Sequence, residues 1–415
     1  MAFAYRDGVL CAEQLPLEGI AERFGTPCYV YSRAAIEVAY SEFSRALAAR
    51  DALICYSVKA NSNLAVLSLM ARLGAGFDIV SGGELARVLA AGGDAGRTLF
   101  SGVGKSEREI EQALLAGVLC LNLESEAELA RVDAVARRLG RRAPVAFRVN
   151  PDVDPKTHPY ISTGLRRNKF GVPYEEAERL YASASRLSAI EVRGIGCHVG
   201  SQLTDRAPFV AAVERLVALA ARIEAAGVRL GHIDVGGGIG IRYRDENPQP
   251  IADFVAGAVA ALRGRRETLI FDPGRSIVGN AGVLLTRVEY VKPGPAKNFL
   301  VVDAAMNDLL RPALYDAWHE IRPVRESRAG TSAELYDVVG PVCESGDFLA
   351  RERRLTAREG DLLAVMSAGA YGMSMSSNYN SRPRAAEVLV EGGQAHLVRS
   401  RETIENLFAL ERTLP

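Results

Sequence analysis

The chain has no net charge: its 415 residues carry 50 Lys+Arg against 50 Asp+Glu. That balance excludes a global basic field that would draw it to nucleic acid or a membrane surface. No apolar run approaches the roughly 18 residues a membrane helix needs. The stretch Met1-Ala2-Phe3-Ala4-Tyr5-Arg6-Asp7 has no signal-peptide pattern. The six cysteines, Cys11, Cys28, Cys55, Cys120, Cys197 and Cys343, are scattered and form no Cys-x-x-Cys pair. Neither a zinc site nor a disulfide framework is indicated, and no metal is expected. These absences point to a cytoplasmic protein with reduced thiols. There is also no internal sequence repeat, low-complexity segment or long flexible linker. What is left is an ordinary globular composition, 48% hydrophobic and 24% charged, long enough for two domains.

The stretch Cys55-Tyr56-Ser57-Val58-Lys59-Ala60-Asn61-Ser62-Asn63 organises the chain. Leu53–Val58 reads as a short buried strand, Lys59 stands at its end, and a helical pattern starts at Asn61. A regular alternation follows. Strands are expected at 53–58, 76–80, 97–101, 118–123, 145–150, 194–199, 232–235 and 268–272. Helices are expected between them, and one precedes the first strand over 32–49. Eight such units fit a closed (β/α)8 barrel of TIM type better than an open doubly wound sheet. After residue 275 the helices thin out, and strands are expected at 283–291, 299–303, 335–339, 361–367 and 387–390. The expectation is an α/β chain: a barrel over 26–275, and a mostly-β, barrel- or sandwich-like domain built from 276–415 with 1–25. A single strand over 3–11 and a turn at Leu15-Pro16-Leu17 are expected at the start, and a short helix over 403–410 near the end.

In such a barrel the active site lies at the C-terminal ends of the strands. Those ends supply Lys59, Asp78, Arg148, His198, Gly236-Gly237-Gly238 and Asp272-Pro273-Gly274-Arg275. A lysine at a strand–helix junction is by itself an ordinary solvated charge. Beside a phosphorylated aromatic cofactor it can form a Schiff base with pyridoxal phosphate. The three glycines form either a plain turn or a loop whose N–H groups reach a phosphate, with Gly274 as a second donor loop. The dinucleotide fingerprint with its acidic partner is not matched. His198 is either structural or a ring stacked on a pyridine face, with Ser201 on the phosphate. Asp272 is either a turn aspartate before proline or the carboxylate that keeps a pyridine nitrogen protonated. Glu84 suits the first turn of a helix as well as a place near a cofactor.

Together these residues resemble the alanine-racemase-like barrel enzymes that use pyridoxal phosphate, in particular the basic amino acid decarboxylases and their diaminopimelate decarboxylase branch. The resemblance spans nearly the whole chain. It rests on Tyr56-Ser57-Val58-Lys59-Ala60-Asn61, Phe77-Asp78-Ile79-Val80-Ser81-Gly82-Gly83-Glu84, His198-Val199-Gly200-Ser201-Gln202, Gly236-Gly237-Gly238, Asp272-Pro273-Gly274-Arg275, Cys343-Glu344-Ser345 and Gly369-Ala370-Tyr371-Gly372. The segments His158-Pro159-Tyr160-Ile161 and Asn168-Lys169-Phe170-Gly171 add to it. One departure is Asp272, where the family usually has glutamate before Pro-Gly-Arg.

The resemblance implies decarboxylation of meso-2,6-diaminopimelate to L-lysine and CO2, the last step of lysine biosynthesis, with pyridoxal 5'-phosphate as cofactor. It implies Lys59 as the Schiff-base lysine and His198 as the stacking residue. Phosphate contacts would come from Ser201, Gly238, the backbone around Gly274 and Arg275, and Tyr371. Cys343 would be the acid for the product carbanion, a thiol being largely protonated near neutrality; a buried apolar cysteine is the plain alternative. Arg275, Arg311, Tyr315, Glu344 and Tyr371 would read the substrate, although Arg311 and Tyr315 are also readable as a surface pair beside Pro312. In the family, residues such as Cys343 and Glu344 reach the neighbouring subunit's barrel, so a head-to-tail homodimer with shared active sites is expected. The competing readings are a decarboxylase of ornithine or arginine, a racemase on the same scaffold, a non-enzymatic pyridoxal phosphate carrier, and a sugar-phosphate barrel enzyme.

Overall fold

The computed structural model describes residues 2–153, 169–326 and 332–415. The family-like segment 158–161 and Asn168 lie outside the described residues. The chain divides into a barrel unit, Ala39–Ile241 with Asn247–Ser276, and a β unit, Met1–Val38 with Arg242–Glu246 and Ile277–Pro415. At the start, β1 (Phe3–Arg6) and β2 (Val9–Ala12) pair as an antiparallel hairpin, where a single strand was expected. Asp7 and Gly8 lie between them, both with positive φ (49° and 74°), and turn the chain. The two-residue β3 (Leu15–Pro16) leads into α1 (Leu17–Phe24), where only a turn was expected. Pro16 has the fixed φ suited to the residue before a helix, and Leu17, Ile20 and Ala21 bury one face.

The strand β4 (Cys28–Ser32), placed in the barrel domain by sequence, pairs instead within the β unit. It is followed by α2 (Arg33–Ala46). The barrel unit then runs β5 (Ala52–Ser57), α3 (Leu64–Arg72), β6 (Gly76–Ile79), α4 (Gly82–Ala90), β7 (Thr98–Phe100), α5 (Glu107–Ala116), β8 (Cys120–Leu123), α6 (Glu126–Arg138), β9 (Ala143–Asn150), the short β10 (Val172–Pro173), α7 (Ala177–Ala184), β11 (Ile190–Gly196), α8 (Ala207–Ala225), β12 (His232–Asp234), α9 (Ile251–Ala261) and β13 (Thr268–Phe271). Strands β5-β6-β7-β8-β9-β11-β12-β13 pair in parallel, and β13 pairs back onto β5. The sheet is closed, and each of the eight expected strands is present within a few residues of its expected bounds.

Local sequence explains the turns from strand to helix. Ser81, Ser106 and Ser125 each accept a backbone N–H at the start of α4, α5 and α6, and Ser106 forms a capping box with Glu109. Along β5 the side chains alternate between the two faces. Leu53 and Cys55 join Leu99, Cys120, Ala146 and Ile270 in one apolar cluster. Two residues further on, Ser57 continues the same face and is polar. The barrel is thus filled with apolar groups below and polar groups at its C-terminal mouth. Outside the strands, Phe271 meets Phe43 at 6.1 Å and Phe209 at 6.0 Å, and Phe209 meets Phe254 at 5.6 Å. Burying each ring contributes on the order of 2 kcal/mol.

After the barrel come α10 (Arg275–Val278), β14 (Gly282–Lys292), β15 (Asn298–Val302), α11 (Arg311–Tyr315), β16 (Ile321–Pro323), β17 (Glu334–Val339), β18 (Phe348–Leu355), β19 (Leu362–Val365), β20 (Ala386–Glu391), β21 (Gln394–Arg399) and α12 (Ile404–Phe408). The large sheet of the β unit has the order β18-β17-β15-β14-β4-β20-β21, with β19 on β14 and β16 on β19. The N-terminal strands form a separate three-stranded sheet in the same unit. Among the described residues, no helix is long and apolar enough to cross a membrane.

Candidate active site

Lys59 sits in a single 3-10 turn, Val58–Ala60, directly after β5. Its Nζ donates to Asp78 Oδ2 at 2.7 Å. The lysine side chain is 36% exposed while its carboxylate partner is 1% exposed, so a fixed anchor holds a reachable amine. Asp78 also accepts from Ser101 Oγ at 2.6 Å and from Ser57 Oγ at 3.2 Å, and Asn122 Nδ2 donates to Ser101. Burial pushes the Asp78 carboxyl up, but the Lys59 ammonium and the hydrogen bonds from Lys59 and Ser101 outweigh it and hold the group below the usual range. Glu84 folds back on its own helix start, where its Oε2 accepts the Val80 N–H at 2.7 Å.

Asp272 directly follows β13, and His198 lies two residues beyond β11. His198 Nδ1 lies 3.6 Å from Asp272 Oδ1. The Gly236–Gly238 loop fits between these chains because it has no side chains. Gly236 (φ +78°) accepts the Asp272 N–H through its carbonyl, and Gly237 donates its N–H to His198 Nδ1. Gly238 (φ +83°) packs so closely that an added Cβ would lie 2.0 Å from the Gly200 carbonyl oxygen. The single Ser57 Oγ proton is shared between the Asp272 carbonyl at 2.9 Å and Asp78 Oδ2 at 3.2 Å, so Lys59, Asp78, Ser57 and Asp272 form one connected set. Pro273 accepts the Ser57 N–H through its carbonyl, and Gly274 packs against Ser57 and Ala60. Arg275 is buried and donates to Ser201 Oγ at 3.0 Å.

Asp272 Oδ1 is buried and has no hydrogen-bond partner among the described residues. A lone buried carboxylate oxygen is costly unless something donates to it. A protonated pyridine nitrogen is such a donor. The phosphate would find the Gly236–Gly238 backbone, Ser201 and Arg275. The residues present therefore fit pyridoxal phosphate.

Sequence reasoning missed several polar residues here. Ser57, Ser101 and Asn122 complete the Asp78 network, each near the end of a barrel strand. Asp234 accepts the Gly236 N–H at 2.9 Å and shapes the glycine loop. Burial, then the neighbouring Asp272 carboxylate, raises the Asp234 carboxyl well above the usual range. Glu124 divides its two oxygens between Arg148 Nη1 (3.4 Å) and the Gly171 N–H (2.5 Å), while Phe170 lies 4.8 Å from the Arg148 guanidinium. The available signal was the second-last and last polar residue of each strand, not the last alone.

The remaining expected residues belong to the β unit. Arg311 and Tyr315 open and close α11, as their four-residue spacing requires. Arg311 is 7% exposed, which rules out a surface pair. Cys343 is exposed rather than a buried apolar residue, and its N–H is held by Asn380 Oδ1 at 2.7 Å. Glu344 is exposed beside it. Tyr371 is half-buried with φ +56°, in the loop after β19.

Residues 33–279 match the family described as pyridoxal-dependent decarboxylase, pyridoxal binding domain. The chain is 59% identical over 413 residues to a diaminopimelate decarboxylase of Pseudomonas aeruginosa, covering 100% of this chain and 99% of that protein. It is also similar to the crystal structure of diaminopimelate decarboxylase from Helicobacter pylori complexed with L-lysine, with a TM-score of 0.92, 44% identity, and 95% and 99% of the two chains covered. The enzyme from M. jannaschii, in co-complex with L-lysine, superposes with a TM-score of 0.95 at 35% identity, over 100% of this chain and 98% of that one.

Proposed function

Since this chain belongs to the pyridoxal-dependent decarboxylases, and among them to the diaminopimelate decarboxylases, we infer that it converts meso-2,6-diaminopimelate to L-lysine and CO2, the last step of lysine biosynthesis. It is a carboxy-lyase. The observation that carries the site assignment is the connected set from Lys59 through Asp78 and Ser57 to Asp272, ending in an Asp272 oxygen that lacks a donor among the described residues.

When bound, pyridoxal 5'-phosphate supplies a protonated pyridine ring that accepts the electron pair left as CO2 departs. Lys59 Nζ would be the amine that holds the cofactor. Asp78 and Arg148 place polar groups along the same rim. Asp272 would hold a proton on the ring nitrogen, and His198 would supply the imidazole beside the ring. Ser201, the backbone from Gly236 to Gly238, the Pro273–Arg275 turn and Tyr371 would hold the phosphate. Cys343 delivers its thiol proton to the substrate α-carbon after CO2 leaves. Arg275, Arg311 and Tyr315 receive the distal carboxylate, Tyr371 borders it, and Glu344 pairs with the distal ammonium.

We further propose a cytoplasmic homodimer in which Cys343 and Glu344 complete the partner's site. The exposure of both residues supports this reading, as does the family resemblance. Six free cysteines suit a reducing compartment. A racemase would interconvert diaminopimelate isomers without gas release. Incubating the holoenzyme with meso-diaminopimelate and measuring CO2, L-lysine and optical rotation tests the assignment. Equal amounts of CO2 and L-lysine are expected. Isomer exchange without CO2 would make the protein a racemase instead.

A further inference from the structure

The β unit holds Arg311 in a cage that the assigned chemistry does not yet use. Its Nη1 lies 2.8 Å from His319 Nε2, and the other ring nitrogen, Nδ1, lies 2.8 Å from the Met366 carbonyl oxygen. Arginine can only donate, so Nε2 must present a lone pair. The ring proton then sits on Nδ1 and is donated to Met366. His319 is fully buried, which fixes both bonds. Tyr243 supplies the second wall: its ring centroid is 4.6 Å from the Arg311 guanidinium carbon and 5.3 Å from the His319 ring, edge to face. Residues Arg242–Glu246 belong to the β unit, though they lie between β12 and α9 in sequence.

The His319 bond and the Tyr243 face both restrain the plane and rotation of the Arg311 guanidinium. They therefore set where its other N–H groups point. Both of these partners are uncharged. A carboxylate in place of His319 would also orient Arg311, but it would neutralise the charge and compete with an incoming anion. His319 as a neutral acceptor and Tyr243 as a ring face orient the cation without themselves neutralising it.

We propose that His319 is a positioning residue for substrate selection: with Tyr243 it aims the Arg311 guanidinium at the distal carboxylate of the diacid. This rests on the reading of Arg311 given above. Loss of CO2 from one end of diaminopimelate leaves the carboxylate at the other, so L-lysine as product still carries the group Arg311 would hold. The diamine 1,5-diaminopentane carries no carboxylate at all.

The test compares His319→Asn with His319→Gln in the holoenzyme. Asparagine can keep the Met366 bond but cannot reach Arg311, whereas the glutamine oxygen reaches the place of Nε2. H319N should raise KM for diaminopimelate and the inhibition constant of L-lysine by about tenfold or more, the scale of one misaligned charge-assisted hydrogen bond. Inhibition by 1,5-diaminopentane and the cofactor absorbance should stay as in the parent. H319Q should restore KM to within about threefold of the parent, a difference below one hydrogen bond. Should H319N not fold, Tyr243→Leu removes the ring face and carries the same expectations. Equal weakening of all three ligands, an unchanged KM in H319N, or no restoration in H319Q would overturn the proposal. A parent protein that releases no CO2 from diaminopimelate would overturn the substrate reading instead.

Discussion

Lys59 Nζ and Asp78 Oδ2 are joined by a 2.7 Å hydrogen bond at the ends of two neighbouring barrel strands. Lys105 is held differently. Its Nζ donates to the Gly102 and Asn122 carbonyls and to Glu128 Oε1, all within a buried setting. Borohydride reduction of the holoenzyme followed by peptide mapping should therefore place the pyridoxyl label on Lys59. A label on Lys105 or Lys169 would contradict the assignment.

Asp272 offers a buried oxygen without a donor among the described residues. Asp272→Asn keeps the shape and removes the charge. Turnover should fall by about 10²- to 10³-fold, the scale of losing one preorganised electrostatic group, with cofactor still bound. Asp272→Glu keeps the charge and lengthens the side chain by one methylene, so it should lose less than the asparagine variant. Steady-state rates of the two variants, with absorbance to confirm loading, decide this.

Two buried groups make opposite contributions to the pH dependence of stability. Burial lowers His232 from 6.5 to about 4, and its Nε2 finds no partner among the described residues. Between those values the unfolded chain takes a proton that the folded chain refuses, so stability falls as pH drops from 6.5 towards 4. Burial raises Asp308 from 3.8 to about 7. Between 3.8 and 7 the folded chain keeps a proton that the unfolded chain has lost, so stability falls as pH rises. Each contribution is on the order of 3 kcal/mol. Relative to the parent, His232→Asn should therefore be most favoured near pH 4, and Asp308→Asn near pH 7. Melting temperatures across pH 4 to 7 should show differences of opposite slope, and parallel curves would contradict both assignments.

The shared-site proposal has a direct genetic form. Lys59→Ala and Cys343→Ala are each expected to be inactive. Mixed and exchanged, they would form hybrid dimers holding one intact site, and part of the parent activity should return. Continued inactivity after verified subunit exchange would mean that each chain carries its own complete site.

The barrel was legible because its strands are short apolar runs ending in polar residues, while serine caps mark the helices that follow. The β unit was less so. The strand Phe348–Leu355 reads Phe-Leu-Ala-Arg-Glu-Arg-Arg-Leu, and Gln394–Arg399 has no fully buried residue, so neither has the apolar density of a buried strand. Both pair with a single neighbour in the large sheet. The α1 helix was hidden by Pro16, which marks a helix start as readily as a turn. Within the site, Lys59, His198 and Asp272 were found because they end strands. His319 and Tyr243 were not: neither ends a barrel strand, and although His319 lies only eight positions after Arg311, Tyr243 lies 68 positions before it, so no short motif joins the three.

The central claim is selection of a diamino diacid. As substrates, ornithine, arginine and lysine carry no second carboxylate, so they would leave cationic groups unpaired, a loss on the order of 10⁴ in selectivity. The decisive measurement is CO2 release by the purified holoenzyme from meso-diaminopimelate, ornithine, arginine and lysine, in the parent and in Arg311→Ala. Release from diaminopimelate alone is expected, strongly reduced in Arg311→Ala while cofactor absorbance is unchanged. Comparable release from ornithine or arginine, or an Arg311→Ala variant indistinguishable from the parent, would contradict the account.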